Sequence, residues 1–514
     1  MTPAAALFLA AMAGQAAPET IVSHGNPILA DGRFYSTDPA PIVVGDTLYI
    51  LAGRDEAPDG VNDFIMNEWQ LLSTKDPGSG RWQHYPNVAR PHDIFAWAEA
   101  GRAYAGQIVR GADRRFYLYA PVLQRVGPAK DRFAIGVAVA DDPRGPWRDA
   151  HPAGPIISQI VPVANDIQNI DPTVLVEDEG RVTIIWGTFG QLRGMALKPD
   201  MVTPAGPEVT LTGATGFFEA PWLMKRRGTY YLLYAANNPG PDSPCTPTLY
   251  HACQAYASAP GPLGPWTYRG VVLPPVSSTT SHAGAIEFRG RWYLAYHTAD
   301  AVGGGHFRRS VAIDPMAWDD SVSPAAIRPV VPTRIAHTVV ATRNVATGAS
   351  VATSAMPVPV QFWLRAVNDG MVRAAPLPPD MWSDWRGAAT PAQAWLEYRW
   401  PLPVTIEASR IRFFTDQPAG ARAGTAPPKD WRLEYWRDGR WQGVAGVVHH
   451  GRDAAGFDTV IFPPITTRCL RAVFTASGDT RGHAAVAVEE WEALAPRAAP
   501  PPSPPHDVAP PCAT

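Results

Sequence analysis

The segment "RGTYYLLYA", residues 227–235, is one of five similar stretches that together decide the fold. A tight polar turn is followed by alternating aromatic and aliphatic residues, which predicts a hairpin leading into a buried β-strand. Four further copies occur in the chain, namely "GDTLYILAG" (45–53), "DRRFYLYAP" (113–121), "EGRVTIIWG" (179–187) and "RGRWYLAYH" (289–297). The same local structure is therefore expected five times.

The copies are about 50 to 70 residues apart, which fits a four-stranded propeller blade with its loops. Helical periodicity is weak in this region, and no βαβ alternation is present. The sequence thus predicts an all-β protein with a five-bladed β-propeller over residues 24–335. The innermost strands of a propeller converge on its axis, so acids that are distant in sequence can meet there.

A second region, residues 345–496, is richer in Arg and Trp. Strand-like pairs such as "WLEYRWPLPVTIEASRIRFF" (395–414) and "KDWRLEYWRDGRWQGV" (429–444) predict a separate β-sandwich of the jelly-roll, galactose-binding-like type. Residues 497–514 are Pro-rich and are predicted to form a disordered tail, in which Cys512 has no fixed partner.

Residues 1–20 contain an apolar stretch followed by small residues, which predicts a secretory signal and a secreted or periplasmic protein. In such a compartment Cys245 and Cys253 could form a disulfide. No apolar run is long enough to span a membrane. The net charge of −3 and the lack of a basic run argue against a nucleic-acid partner. The oligomeric state is left open.

Three carboxylates recur ahead of the predicted hairpins. Asp38 in "YSTDPAPIVV" and Asp171 in "QNIDPTVLVEDEG" share an Asp-Pro frame, and Glu219 stands in "GFFEAPWLMK". Proline fixes the backbone after each aspartate. An Asp-Pro pair is also common in turns, so either aspartate alone could have a purely structural role. Three acids at the same place in a repeat are less easily explained by turn formation alone. The aromatic residues around Glu219 should raise its pKa by desolvation, as a general acid requires. The acids at 177–179 are instead predicted to be a solvated hairpin tip.

The propeller region resembles glycoside hydrolase family 43, five-bladed propeller enzymes that act on arabinofuranosides and xylosides. The resemblance rests on "NPILADGRFYSTDPAPIVVGDTLYI", "IQNIDPTVLVEDEGRVTIIWG", "GFFEAPWLMKRRGTYYLLY", "SHAGAIEFRGRWYLAYH" and "HFRRSVAID". It implies that Asp38 is the general base, that Glu219 is the general acid, and that Asp171 orients Glu219 and keeps its pKa high. It also implies inversion, for which base and acid stand roughly 6.5–9.5 Å apart.

Other residues fit the resemblance less specifically. His282 matches a central histidine near a metal ion, such as calcium, or an ordered water on the axis; a hydrogen-bonded core histidine is the alternative. Arg308 and Arg309 match an arginine pair, of which either could bind a substrate hydroxyl or form an ion pair. Trp97 could stack on the sugar ring or pack in the core. No cofactor is required.

The C-terminal region resembles discoidin-like (coagulation factor type C) modules, which bind carbohydrate or act as structural appendages. The whole chain is therefore expected to be an inverting exo-glycoside hydrolase that releases arabinofuranose or xylose from plant cell-wall fragments, with an oligosaccharide as its partner. A non-catalytic sugar-binding propeller and a propeller glycosidase acting on galactosides or fructosides are the alternatives. The fructoside-active group would carry an Arg-Asp-Pro triplet, which this sequence lacks.

Overall fold

The computed structural model describes the following residues: 18–23, 25–58, 61, 63–127, 131–236, 252–277, 280–333, 344–356, 358–359, 361–373, 376, 378–416, 424–449, 456–479, 482–496 and 512. The predicted signal segment lies outside the described residues except for its last three positions, and the predicted tail lies outside them except for Cys512. In the described part of the chain, no helix is long and apolar enough to cross a membrane.

Five antiparallel sheets follow one another along the described residues up to 316. The first has the order β1-β5-β4-β3-β2 and consists of β1 (Glu19–Val22), β2 (Thr37–Val44), β3 (Thr47–Asp55), β4 (Met66–Thr74) and β5 (Arg81–Ala89). The short helix α1 (Pro91–Ile94) leads to the second sheet, formed by β6 (Gln107–Arg110), β7 (Phe116–Leu123), β8 (Phe133–Ala140) and β9 (Arg148–Asp149).

The other three sheets also run in sequence order from the inside outwards. The third comprises β10 (Thr173–Val176), β11 (Val182–Trp186), β12 (Arg193–Leu197) and β13 (Val209–Thr210). The fourth comprises β14 (Phe217–Arg226), β15 (Thr229–Ala236), β16 (Cys253–Ala259) and β17 (Thr267–Leu273). The fifth comprises β18 (Ala283–Phe288), β19 (Arg291–Thr298) and β20 (Ser310–Met316), followed by the hairpin of β21 (Trp318–Asp319) and β22 (Ala326–Ile327).

The five sheets are the blades of a propeller. Their innermost strands β2, β6, β10, β14 and β18 contact one another in that order, and β18 contacts β2 to close the ring. Each repeated segment forms the second strand of its blade, and its apolar residues are buried between neighbouring blades. The predicted five-bladed all-β propeller is confirmed.

The ring is closed by the chain segment that precedes β2. The amide of Ile28 donates to the carbonyl oxygen of Val311 (2.8 Å), and the amide of Ser36 donates to that of Arg309 (2.9 Å). The side chain of Asn26 donates to the carbonyl oxygen of Ile313 and accepts from the amide of the same residue, each at 2.9 Å. The start of the propeller is therefore hydrogen-bonded to the outer edge of its last blade.

The C-terminal region forms a seven-stranded antiparallel sheet in the described residues, with the order β24-β31-β25-β28-β26-β27 and β23 paired to β25. Its strands, with a two-stranded β29–β30 ribbon, are β23 (Ser350–Thr353), β24 (Trp382–Ser383), β25 (Gln393–Phe414), β26 (Asp430–Arg437), β27 (Arg440–His449), β28 (Phe457–Thr475), β29 (Gly478–Asp479), β30 (Gly482–His483) and β31 (Ala487–Leu494). Short 3-10 turns occur at Pro77–Ser79, Ala346–Gly348, Leu364–Asn368, Pro378–Asp380 and Gly387–Ala389. The sheet buries Trp382, Trp431 and Trp491 in its own core. Its discoidin-like character stays a prediction.

Two expectations from the sequence are wrong. Cys512 has a fixed partner, because it forms a disulfide with Cys469 on β28. Glu177 is not solvated: it is buried, and it accepts hydrogen bonds from Lys225 Nζ (2.6 Å) and the hydroxyl of Tyr230 (2.7 Å), both of the next blade.

Cys253 is disulfide-bonded. Cys245 lies outside the described residues, so the predicted pairing of Cys245 with Cys253 stays a prediction.

Candidate active site

A cleft of about 280 Å³ opens where the five blades meet, and every blade contributes to its lining. Charged and polar side chains form its floor, and aromatic side chains form its walls. The floor residues are Asp38, Asp171, Glu219, His282, His297 and Arg309, and the wall residues are Phe64, Tyr104, Phe133 and Phe189. The three acids predicted from the repeats are therefore brought together in one cleft, although 181 positions separate the first from the last.

Asp38 reaches the cleft because the backbone is irregular at the start of β2. The pairing of β2 with β3 has a register shift between Thr37 and Ala40, and the φ angle of Asp38 is +53°. Asp171 has a φ of +54° ahead of β10. Aspartate is among the few residues that adopt this left-handed conformation readily. The shared Asp-Pro frame thus marks a repeated backbone bend that turns a carboxylate out of the strand edge.

Arg309 neutralises the negative charge on Asp38. Its Nη1 lies 3.1 Å from Asp38 Oδ1, while its Nε and Nη2 donate to the two carboxylate oxygens of Asp55 at 2.9 and 3.0 Å. The bidentate contact with Asp55 fixes the plane of the guanidinium group. Asp55 therefore positions the arginine, and the arginine stabilises the ionised form of Asp38.

Two histidines complete the surroundings of Asp38. His297 is fully buried, and its Nε2 lies 3.2 Å from the carbonyl oxygen of Thr280. Its Nδ1 lies 3.2 Å from Asp38 Oδ1. His282 Nδ1 is 3.9 Å from the same oxygen, and burial lowers the pKa of His282 to about 4. His282 is therefore neutral at neutral pH.

The ionisation of Asp38 follows from these contacts. Burial alone would raise the pKa of the carboxyl group, but the Arg309 guanidinium and the hydrogen bond with His297 outweigh it. They hold the pKa of Asp38 well below its usual range, so Asp38 is a carboxylate at any pH at which the protein would work.

Glu219 and Asp171 show the opposite behaviour. Burial raises the pKa of Glu219 to about 7, and it raises the pKa of Asp171 well above its usual range, with the nearby Glu219 adding to the effect. Glu219 Oε2 accepts from the hydroxyl of Thr188 at 3.0 Å. Asp171 Oδ2 accepts from the backbone amide of Ala220 at 3.1 Å, so it is bonded to the residue next to Glu219. This pair of carboxyl groups retains a proton near neutral pH.

Other candidates from the sequence lie elsewhere. Trp97 does not line the cleft; it packs against Phe95 in the second blade, with 5.1 Å between the ring centroids. Arg308 also lies outside the cleft lining, and its Nε donates to the carbonyl oxygen of Gly303 at 2.7 Å. Of the arginine pair, Arg309 faces the acids.

The surroundings of His282 do not fit a metal site. Among the described residues, no group of three or more His, Cys, Asp or Glu side chains is arranged to hold a metal ion. The positive charge near Asp38 is supplied instead by the guanidinium of Arg309. No chemical step is therefore assigned to a metal ion on the axis.

Three residues of the site were not singled out from the sequence. His297 is the last residue of the fifth repeat, Asp55 follows the first repeat by two positions, and Thr188 follows the third repeat directly. The ends of the repeats, where the second strands reach the axis, thus carried a signal for all three. That shared position is a weak signal, because it does not by itself separate these three residues from other residues at the ends of strands.

Comparison with known proteins gives a family and several relatives. The model of glycosyl hydrolases family 43 matches residues 24–323. A xylosidase/arabinosidase from Bacteroides ovatus is 28% identical over 332 residues, covering 55% of this chain and 92% of the relative. A beta-xylosidase from Xylanibacter ruminicola is 27% identical over 336 residues, covering 55% and 94%.

Solved structures show the same fold. A GH43_1 enzyme from Xanthomonas citri complexed with xylotriose is 25% identical, with a TM-score of 0.50, and the match covers 60% of this chain and 94% of that one. An arabinoxylan arabinofuranohydrolase from Bacillus subtilis in complex with cellotetraose is 19% identical with a TM-score of 0.50, covering 92% and 97%. The second likeness is one of fold alone, and it extends beyond the propeller into the C-terminal sheet.

Proposed function

The chain belongs to glycosyl hydrolases family 43, and we propose that it is an inverting, exo-acting glycosidase that releases xylose or arabinofuranose from plant cell-wall oligosaccharides. One observation carries the proposal: a single cleft holds a carboxylate that stays ionised, Asp38, and a carboxyl pair that keeps a proton, Glu219 with Asp171. Opposite ionisation of two acids is what acid–base hydrolysis of a glycosidic bond requires, and inversion is proposed from membership of the family.

In the proposed mechanism Asp38 accepts a proton from a water molecule as the water oxygen bonds to the anomeric carbon. The bond from that carbon to the glycosidic oxygen breaks, and its electron pair stays on the oxygen, which takes the proton of Glu219. The released sugar has the inverted configuration because water enters opposite the leaving group. Asp171 positions Glu219 through the amide of Ala220, and repulsion between the two carboxyl groups disfavours the ionisation of both.

The substrate class is proposed from the relatives and the cleft. The relatives are named for xylose- and arabinose-releasing activities. The aromatic walls of the cleft, among them Tyr104 and Phe133, suit the apolar faces of a sugar ring, while the charged floor suits its hydroxyl groups. The two sugars are compatible with the same set of groups, so both are retained in the proposal.

The test compares two variants on substrates with different leaving groups. Asp38→Asn should lose activity on every substrate, because the attacking water is no longer deprotonated. Glu219→Gln should lose activity on oligosaccharides but keep much of it on dinitrophenyl glycosides, whose leaving group needs no proton. Asp178→Asn, at an exposed hairpin tip, serves as the control and should behave as wild type.

NMR of the first-formed product tests the stereochemistry. The anomer released first from a xyloside or an arabinofuranoside should be the inverted one. A retained anomer, or full activity of Asp38→Asn on all substrates, would contradict the assignment of Asp38 as a general base.

Export is proposed on separate grounds. The apolar stretch near the N-terminus, the Cys469–Cys512 disulfide and a substrate that is polymeric outside the cell all favour a secreted or periplasmic protein. Mass spectrometry of the N-terminus of protein recovered from the periplasm or medium tests this. A protein found only in the cytoplasm with residues 1–20 intact would contradict it.

A further inference from the structure

Phe189 is an exposed aromatic residue in the wall of the cleft. It lines the same cavity as the three acids, yet 66% of its surface is accessible to solvent. Burial of an apolar side chain stabilises a folded protein, and most of that stabilisation is forgone at this exposed position. The ring therefore offers apolar surface at the edge of the proposed catalytic site.

The backbone at Phe189 has a conformation that bulky residues rarely adopt. The φ angle of Phe189 is +51°, which is an outlier for a bulky residue. The turn is closed by hydrogen bonds from the amide of Gly190 to the carbonyl oxygen of Phe218 (3.1 Å) and from the amide of Gln191 to that of Thr188 (3.0 Å). Gly187 admits no side chain, since a Cβ there would lie 1.9 Å from the carbonyl oxygen of Gln191.

Phe189 lies near one of the acids, Glu219. Its neighbour Thr188 donates to Glu219, and its ring meets that of Phe218, the residue before Glu219, edge to face at 5.4 Å. Phe189 therefore stands on the side of the proposed general acid rather than beside Asp38. The general acid protonates the leaving group, so this is the side on which the departing part of the substrate lies.

We propose that Phe189 is the platform for the sugar on the leaving-group side of the scissile bond. The C–H face of that sugar packs on the phenyl ring, which makes Phe189 a specificity residue for oligosaccharides over simple glycosides. The inference rests on the proposed function. In this arrangement Phe189 contacts only the departing sugar and takes no part in proton transfer.

The test uses two substrates that both need the proton of Glu219, of which only one carries a leaving-group sugar. These are a disaccharide of the sugar series that wild type hydrolyses and the methyl glycoside of the same series. Phe189→Asn removes the ring and keeps a residue that accepts a positive φ. It should lower kcat/KM on the disaccharide about tenfold and leave kcat/KM on the methyl glycoside within about twofold.

Phe189→Tyr is the matched control, because it retains the ring, and it should keep the wild-type ratio between the two substrates. Equal losses of Phe189→Asn on both substrates, or no loss on either, would overturn the platform while leaving the proposed function intact. Failure of the wild-type protein to hydrolyse either substrate in both sugar series would instead overturn the proposed function, and the platform with it.

Discussion

The hydrogen bond between Thr188 and Glu219 sets how easily the proposed general acid loses its proton. The hydroxyl of Thr188 donates to Glu219 Oε2, and a donor to a carboxylate stabilises the ionised form. Its contribution opposes burial, which raises the pKa of Glu219 to about 7. Thr188 thus limits how far that pKa can rise.

Thr188→Val should therefore move the alkaline limb of the pH profile to higher pH. The valine has nearly the same shape but no hydroxyl group, so the pKa of Glu219 rises and the acid stays protonated further into the alkaline range. The measurement is kcat/KM against pH on a substrate with a poor leaving group. An alkaline limb that stays in place, or moves to lower pH, would contradict the role of Thr188; the acid limb, set by Asp38, should not move.

Glu219→Gln should also change how stability depends on pH. A carboxyl group with a raised pKa binds more protons in the folded state, so between about pH 4.5 and 7 the free energy of unfolding falls as pH rises. Removing the titrating group should raise the free energy of unfolding at pH 8 by roughly 1–3 kcal/mol and change it little at pH 4. Chemical denaturation at both pH values measures this, and an unchanged or lower value at pH 8 would contradict the raised pKa.

At the scale of elements, the five repeats were sufficient to predict the blades. Alternation of aromatic and aliphatic residues after a polar turn survives in every copy because each second strand is buried on both faces. The positions of Asp38, Asp171 and Glu219 could be predicted as well, since they hold the same place before the hairpin. Local pattern and tertiary position agree wherever the repeat is regular.

The partners of the acids could not be predicted, because they are brought in by irregular backbone. Arg309 and Arg308 are adjacent, and only the course of the loop before β20 decides which of them reaches Asp38. Asp55 meets Arg309 across 254 positions. Trp97 carries the right chemistry for a sugar platform but faces its own blade, whereas Phe189 depends on a strained turn that no propensity favours.

Closure of the ring depends on Asn26, which links the first segment of the propeller to its last blade. Besides its two bonds with Ile313, its amide group donates to the hydroxyl of Thr333 at 2.8 Å. Asn26→Ala would leave buried polar groups without partners, and we expect it to lower the free energy of unfolding by about 2–3 kcal/mol. Activity of the folded fraction should not change.

Gln83→Ala is the control for this prediction. Gln83 donates to Thr20 at 2.9 Å between β5 and β1 of the first blade, where the bond is exposed to solvent. Its replacement should change the free energy of unfolding by less than about 0.5 kcal/mol. Denaturation curves of both variants decide the matter, and equal stabilities would show that Asn26 contributes nothing particular to ring closure.

At the scale of the whole molecule, the C-terminal region supports the loop that precedes Arg309. Arg373 is buried, and its Nε lies 3.0 Å from the carbonyl oxygen of Gly304 and 3.2 Å from Asp380 Oδ1. Its Nη2 lies 3.0 Å from Asp369 Oδ2. Three consecutive glycines at 303–305 give this loop wide conformational freedom, and the contact with Arg373 adds to the hydrogen bonds that hold it within the propeller.

The loop in turn contacts the wall of the cleft. Phe307 packs against Phe64 with 4.7 Å between the ring centroids, and the Phe64 ring lies 4.9 Å from the guanidinium carbon of Arg309. A continuous series of contacts thus leads from Arg373 to the arginine that keeps Asp38 ionised. The C-terminal region is therefore in contact with the loop that leads to Arg309.

Arg373→Lys should consequently impair catalysis at a distance. Lysine keeps the charge between Asp369 and Asp380, so the protein should fold, but a single ammonium group cannot also bond Gly304 in the same geometry. We expect kcat/KM to fall roughly tenfold through a less well placed Arg309. Arg432→Lys, which alters an ion pair with Glu434 on β26, should stay within about twofold of wild type. Initial rates and melting temperatures of both variants test this, and equal activities would show that the C-terminal region does not govern the site.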